Sequence, residues 1–338
     1  MRTYELRGDG VETLALVERA RPIPGPGQVV VRVRAASLNY RDLLVASGKY
    51  ARGGPQKRPL VPLSDGAGEV IAVGPGVEHP RPGDRVAGAF FQRWVDGPFD
   101  ADEAASALGG GGMDGVLSEE VALQADAVVP IPGGLSFEEA ATLPCAAVTA
   151  WVGLRVNGGL RAGETVLAMG TGGVSIFALQ LAKLAGARVI LTSSDDGKLA
   201  RGKALGADAT VNYRTTPDWD AAVRALTAGR GVDHVLEVGG ATTLARSLAA
   251  VRDGGHLSVV GLLGGARADP DAAARNARGI RVDSVFVGSV RHFREMNEAI
   301  ARGGLRPVVD RVFPFERARE AYAHLASGAH FGKIVVAA

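Results

Sequence analysis

ETVLAMGTGGVSIFALQLAKLAGARVILTSS, residues 164–194, reads as a strand, a glycine turn, a helix and a second strand. Thr165 to Met169 is a short apolar run that ends at Gly170, Gly172 and Gly173. Glycines there let the backbone turn tightly and come close to a pyrophosphate. Val174, Phe177, Ala178, Leu181, Ala182 and Ala185 then recur at helical spacing. One apolar face can lie on a sheet while the free N–H groups of the first turn point at phosphate. Gly186 ends the helix and Arg188 to Thr192 begins the next strand, which makes a βαβ unit of the dinucleotide-binding kind. The G-x-G-x-x-G pattern is incomplete, because its third glycine is Ser175, a residue still small enough for close helix–strand packing. On the local pattern alone, a glycine turn that holds no nucleotide is the alternative.

An Asp or Glu about twenty residues on, at the end of the second strand, accepts from the ribose 2′-hydroxyl of NAD. That place holds Thr192, Ser193 and Ser194. A carboxylate would repel a 2′-phosphate by about 4 kcal/mol at contact with an effective dielectric near 20. Its absence favours NADP(H) over NAD(H). Lys198 and Arg201, on the following helix, offer positive charge, or are simply a solvated helix face; Asp195 and Asp196 stand close enough to compete for the ribose.

At 338 residues the chain suits two domains. The formal charge of +2, with basic residues scattered, gives no reason to propose nucleic acid. One cysteine excludes an internal disulfide and any Cys-cluster zinc site, and a reducing cytoplasm is the simplest compartment. Met1 to Arg7 runs straight into polar, strand-like sequence, so no signal peptide is expected. The uncharged run from Thr165 to Ala182 is interrupted by Thr-Gly-Gly and reads as a buried strand and helix rather than a membrane span.

Up to about Asp126 the chain shows short strands between Pro/Gly turns: Gln28–Ala35, Gly66–Gly74, Gly83–Gly88 and Val116–Leu123. This texture predicts a partly open β-barrel. Phe91 to Gly115 is an acidic excursion whose glycines at 109–112 read as a mobile loop, either a surface insertion or a lid. From Val128 strands and helices alternate, with further strands at Ala209–Asn212, Val232–Val238, His256–Leu263 and Val282–Val287. That is a doubly wound nucleotide domain. The last part, a helix near His292–Arg302, a strand at Pro307–Phe315, a helix at Glu316–Ser327 and a strand at Lys333–Val336, is expected to return to the first domain.

Seven stretches in order match a known family: SLNYRDLLVASGKY (37–50), PLSDGAGEVIAVGPGV (62–77), PGDRV (82–86), ATLPCAAVTAW (141–151), GTGGVS (170–175), KALGADATVNYR (203–214) and HFGKIVV (330–336). Over essentially its full length the chain resembles a medium-chain dehydrogenase/reductase, on the zinc-free, quinone-oxidoreductase-like side of that superfamily. The resemblance implies an α/β protein: a GroES-like partly open barrel, residues 1–126 with 289–338, and a doubly wound Rossmann domain, 127–288, with the active site between them. It implies a homodimer as well.

The resemblance also lets zinc be tested position by position. Where zinc-dependent relatives carry a first Cys ligand this chain has Asn39; where they carry His-Glu it has Ser64-Asp65; Cys145 alone keeps a ligand type. Catalytic Zn²⁺ wants three Cys, His or carboxylate ligands, so no metal is expected. The four-cysteine lobe of those relatives is missing too. The six histidines lie outside ligand spacing and read as surface or core residues, and Cys145 reads as packing.

Without a metal, hydrogen-bond donors must polarise the substrate oxygen. The resemblance proposes Asn39 and Tyr50 for that role, with Ser64 a further donor from the vacated zinc position; Asp42 and Asp65 are either proton donors or supports for a loop or Arg41. It places Thr149 at the nicotinamide, Gly170, Gly172, Gly173 and Val174 at the pyrophosphate, and Ser193, Ser194, Lys198 and Tyr213 around the adenosine phosphate. Gly261, Leu262, Leu263, Phe286, Val287 and Gly288 would close over the nicotinamide, with Lys333 near the phosphates. The implied activity is zinc-independent, NADP(H)-dependent hydride transfer to a quinone, enone or other activated carbonyl small molecule. An alcohol dehydrogenase and a cofactor-binding protein without turnover are the alternatives.

Overall fold

The structure, a computed structural model, describes residues 1–50, 58–110, 112–260 and 272–338. The chain divides into two compact units, Met1–Val148 with Val287–Ala338, and Thr149–Phe286. In chain order the strands are β1 (Arg2–Leu6), β2 (Leu14–Glu18), β3 (Gln28–Leu38), β4 (Asp65–Val73), β5 (Arg85–Gly88), β6 (Glu120–Gln124), β7 (Val128–Pro130), β8 (Thr165–Met169), β9 (Arg188–Ser193), β10 (Ala209–Asn212), β11 (Val232–Glu237), β12 (Val251–Val259), β13 (Arg281–Ser284), β14 (Val309–Pro314) and β15 (Lys333–Ala337).

In the first unit a seven-stranded sheet runs β14-β15-β3-β4-β5-β7, with β6 also on β3, and β1 pairs β2 as a separate ribbon. The long β3 alternates as its sequence demands, with Arg32 and Arg34 exposed and Val31 and Val33 buried. The C-terminal β15 lies antiparallel to β3, Ile334 opposite Leu38 and Val336 opposite Ala36. A Cβ at Gly68 would stand 1.9 Å from the Arg32 carbonyl oxygen, so β3 and β4 close up only around glycine. Leu6, Leu14, Val29, Leu63, Leu117, Tyr322 and Val336 share one core. This is the GroES-like β architecture expected from the sequence.

The unit extends to Val148 rather than stopping at Asp126, because β7 pairs antiparallel with β5 and the helix Phe137–Ala140 packs on β3 and β4. The excursion at 91–115 is not a bare loop. Phe91 bridges Ala107, and Phe90, Phe91, Trp94 and Ala107 form their own core with Phe99, Cys145 and Val287 against it. The glycines suggested mobility, whereas the aromatic residues tie the segment down.

The second unit is a six-stranded parallel sheet in the order β10-β9-β8-β11-β12-β13. Every residue of β8 is buried, as a central parallel strand covered on both faces requires. The helix Gly173–Leu184 buries Ile176, Phe177, Ala178, Leu181 and Ala182. Strand order reverses between β8 and β11, and ligands of such sheets bind beyond the carboxyl ends of the strands at that point. Among the described residues no helix is long and apolar enough to cross a membrane.

Candidate active site

The glycine turn sits at that switch point. Gly170 follows β8 with φ +76°, a conformation glycine adopts without strain, and its N–H donates to Thr192 Oγ1 at 3.3 Å. Ser175 Oγ donates to the Met169 carbonyl at 2.5 Å, so the residue that breaks the glycine pattern stitches helix to strand itself. Gly172 caps the helix Gly173–Leu184 and, as a glycine, brings no side-chain oxygen of its own to the first turn. Backbone donors and the positive end of the helix dipole are thereby left for an anion, and the site fits a dinucleotide pyrophosphate. Thr149 is buried in the short helix Val148–Trp151.

At the end of β9, Ser193 is buried and its Oγ accepts from the Asp195 N–H at 3.3 Å. Asn212 pairs Ser193 in the register of β10 on β9, and the Tyr213 N–H donates to the Ser193 carbonyl at 3.0 Å. Ser193, the half-buried Ser194, and the exposed Tyr213 ring thus gather at one edge of the sheet, with Lys198 on the next helix. Both nearby carboxylates are engaged: Asp195 accepts from the Lys198 N–H at 2.8 Å, and Asp196 from Asn212 Nδ2 at 2.7 Å. Gly261, Leu262 and Leu263 lie outside the described residues. Phe286 ends the second unit, whereas Val287 and Gly288 belong to the first. Val287 has φ +59°, a strained state for a β-branched residue.

A polar cluster lies within the first unit. β3 ends at Leu38, and Asn39 opens the helix Tyr40–Ala46 with its N–H donated to Asp42 Oδ2 at 2.7 Å. Asp42 is fully buried, and burial pushes its carboxyl up to about 6 against the opposing pull of Arg41 and the Asn39 N–H. The Arg41 guanidinium stacks between Tyr50 and Phe90, 4.6 and 4.9 Å from their ring centres. Leu63 takes φ +68° while fully buried, a strained turn that leads directly into Ser64 and Asp65.

Lys333, the first residue of β15, is 2% exposed. Its Nζ donates to the Leu38 carbonyl at 2.6 Å and to Asn39 Oδ1 at 2.5 Å, and lies 3.7 Å from Asp65 Oδ2. Asp65 in turn accepts from Ser64 Oγ at 2.6 Å and from the Cys145 N–H at 3.1 Å. Asn39 Nδ2 is buried with no partner among the described residues. An unmet buried donor costs about 1–3 kcal/mol, so this N–H is a place for a ligand oxygen.

Two expectations change here. Lys333 was expected near the cofactor phosphates; a buried ammonium needs acceptors, and it takes them from Leu38 and Asn39 inside the barrel unit. Ser64 was expected to donate to substrate; its hydroxyl proton is already given to Asp65. The pairing of Lys333 with Asn39 joins residues 294 apart in sequence, and its one legible signal was a charged residue opening the apolar strand KIVVA.

The same cluster tests for a metal. Asn39 and Asp65 lie against the Lys333 ammonium, and Ser64 and Cys145 hold Asp65; a second cation about 4 Å from that ammonium would be repelled by about 4 kcal/mol per unit charge at an effective dielectric near 20. Burial, then Asp65, pushes the Cys145 thiol up, as for a packed rather than a reactive cysteine. Among the described residues no three His, Cys, Asp or Glu are grouped to hold an ion. The donor set does not fit Zn²⁺.

Comparison with known proteins adds the following. Residues 25–133 match the alcohol dehydrogenase GroES-like domain and residues 173–302 the zinc-binding dehydrogenase domain. A zinc-type alcohol dehydrogenase-like protein of Schizosaccharomyces pombe is 45% identical over 92% of this chain and 91% of its own. A chloroplastic quinone-oxidoreductase of Triphysaria versicolor is 30% identical over 98% of this chain and 96% of its own. The solved structure of an NAD-dependent alcohol dehydrogenase superposes with a TM-score of 0.90 at 37% identity, covering 100% of both chains.

Proposed function

The chain belongs to the medium-chain dehydrogenase/reductase superfamily of oxidoreductases, and on that premise we propose that it is a metal-free, NADP(H)-dependent reductase of quinones, enones or other activated carbonyl compounds. The observation that carries this reading is the Lys333 ammonium against Asn39 and Asp65, two of the residues that stand in the metal-ligand positions. A bound nicotinamide would supply the hydride. The first unit supplies polarising donors, chiefly Asn39 Nδ2, with Tyr50 beside Arg41. A polarised carbonyl is what an enone or quinone needs to accept hydride, whereas oxidation of an unactivated alcohol needs a strong base.

The preference for NADP(H) is supported by Ser193 at the end of β9 and by the engagement of Asp195 and Asp196. A second reading, alcohol dehydrogenase, is favoured by the likeness to the Schizosaccharomyces pombe protein and to the NAD-dependent enzyme. We propose a cytoplasmic homodimer, joined through β13 at the sheet edge. The test is the rate of NADPH oxidation, with NADH as control, against a panel of quinones, enones and aldehydes after chelator treatment. Turnover of quinones or enones with NADPH preferred supports the proposal; turnover of alcohols with NAD⁺ that chelation abolishes supports the second reading.

A further inference from the structure

We propose that Lys333 is a positioning residue that fixes the Asn39 side-chain amide with its NH2 group presented to the substrate oxygen. The inference rests on the metal-free reading above and names how that site is built. An ammonium has donors and no acceptor, so the Asn39 atom facing it at 2.5 Å must be Oδ1. Nδ2 therefore faces the other way, where it has no partner among the described residues. An asparagine amide alone is indifferent to a half-turn about its last bond, and in the flipped state it would show a carbonyl oxygen to the substrate oxygen and repel it.

Each member of the arrangement is held by another. Lys333 is oriented by the Leu38 carbonyl at 2.6 Å and by the Asp65 carboxylate at 3.7 Å. Asp65 is held by Ser64 Oγ and the Cys145 N–H, and the Asn39 backbone by Asp42. The ammonium also draws electron density from Oδ1, which strengthens the N–H groups as donors through the conjugated amide. The buried positive charge thus acts on the substrate oxygen through a neutral hydrogen-bond donor.

The full-length protein, NADPH and an enone are the probes. Turnover by the chelated wild type supports the metal-free reading, and its loss on chelation with recovery on added zinc rejects that reading separately. Lys333→Met is expected to lower kcat about 100- to 1000-fold, the effect of losing one oxyanion donor, while NADPH affinity by fluorescence titration is unchanged. Lys333→Arg, which keeps charge and donors, recovers much of the loss. Asn39→Asp retains the pair with Lys333 but offers no N–H, so it folds and falls as far as Lys333→Met. Intact kcat in Asn39→Asp overturns the inference, as does a Lys333→Met variant that loses NADPH affinity but turns over normally at saturation. Neutron diffraction reads the amide without turnover: deuterons on the atom remote from Lys333 are expected, and deuterons on the facing atom refute it.

Discussion

His234 and His256 face each other across the neighbouring strands β11 and β12, Nδ1 to Nδ1 at 3.5 Å, in the register that pairs them directly. Each ring turns its Nε2 outward to a carboxylate, Glu164 at 2.9 Å for His234 and Asp283 at 2.9 Å for His256. A neutral His256 ring that donates from Nε2 to Asp283 turns its Nδ1 lone pair toward His234, and a proton added there charges a buried ring.

Burial, with the neighbouring His234 and Arg281 assisting, holds His256 below its ordinary 6.5 despite Asp283. The unfolded chain therefore binds this proton more readily. Stability from the neutral ring is fully present above about 6.5 and is lost as pH falls through the depressed value. The expected outcome is a melting temperature that drops more steeply below pH 6.5 in wild type than in His256→Gln. Parallel acid profiles in thermal scans would show that His256 does not titrate with folding.

Asp42 works in the opposite direction. Its carboxyl is raised from 3.8 to about 6 by burial, so the folded protein holds the proton more tightly than the unfolded chain. That stabilisation is present below about 3.8 and is lost as pH rises through about 6. Asp42→Asn keeps an acceptor for the Asn39 N–H and carries no charge. Its stability relative to wild type should improve by up to about 3 kcal/mol between acid and neutral pH, measured by urea unfolding at each. A pH-independent difference contradicts the raised carboxyl.

Ser193→Asp places a carboxylate where the 2′-phosphate is proposed to lie. Repulsion of about 4 kcal/mol at contact implies that NADPH weakens about 100-fold or more relative to NADH. Titration of both cofactors into the variant measures the ratio, and unchanged selectivity removes Ser193 from that site.

Tyr50 lies on the Arg41 guanidinium, beside the helix that Asn39 opens. If its hydroxyl donates during reduction, Tyr50→Phe lowers kcat by about 10² or more, in the range of general acid catalysis, with little change in NADPH affinity. A variant that keeps wild-type kcat takes Tyr50 out of the chemistry.

The glycine turn, β8 and β10 were legible because local chemistry alone dictates them: apolar β-branched runs, a glycine at φ +76°, and helical spacing after it. The polar cluster was legible only in part. Asn39 could be singled out by its place in SLNYRDLL, but its partner Lys333 arrives through the antiparallel pairing of β15 with β3, a contact that no local pattern encodes. The strained turn at Leu63 was invisible, since leucine carries no preference for positive φ. The aromatic core of residues 90–107 was hidden by the glycines that follow it. His234 and His256 were read singly as surface or core residues, because a pair made across two strands has no spacing in one.

Metal-free hydride transfer is measured by a single turnover of metal-depleted protein with NADPH dideuterated at the nicotinamide C4 and an enone in excess. The expected product carries one deuterium, on the carbon β to the carbonyl, and forms at a rate unaffected by added zinc. Product formed only after zinc is restored, or no deuterium in the product, would contradict metal-free hydride transfer.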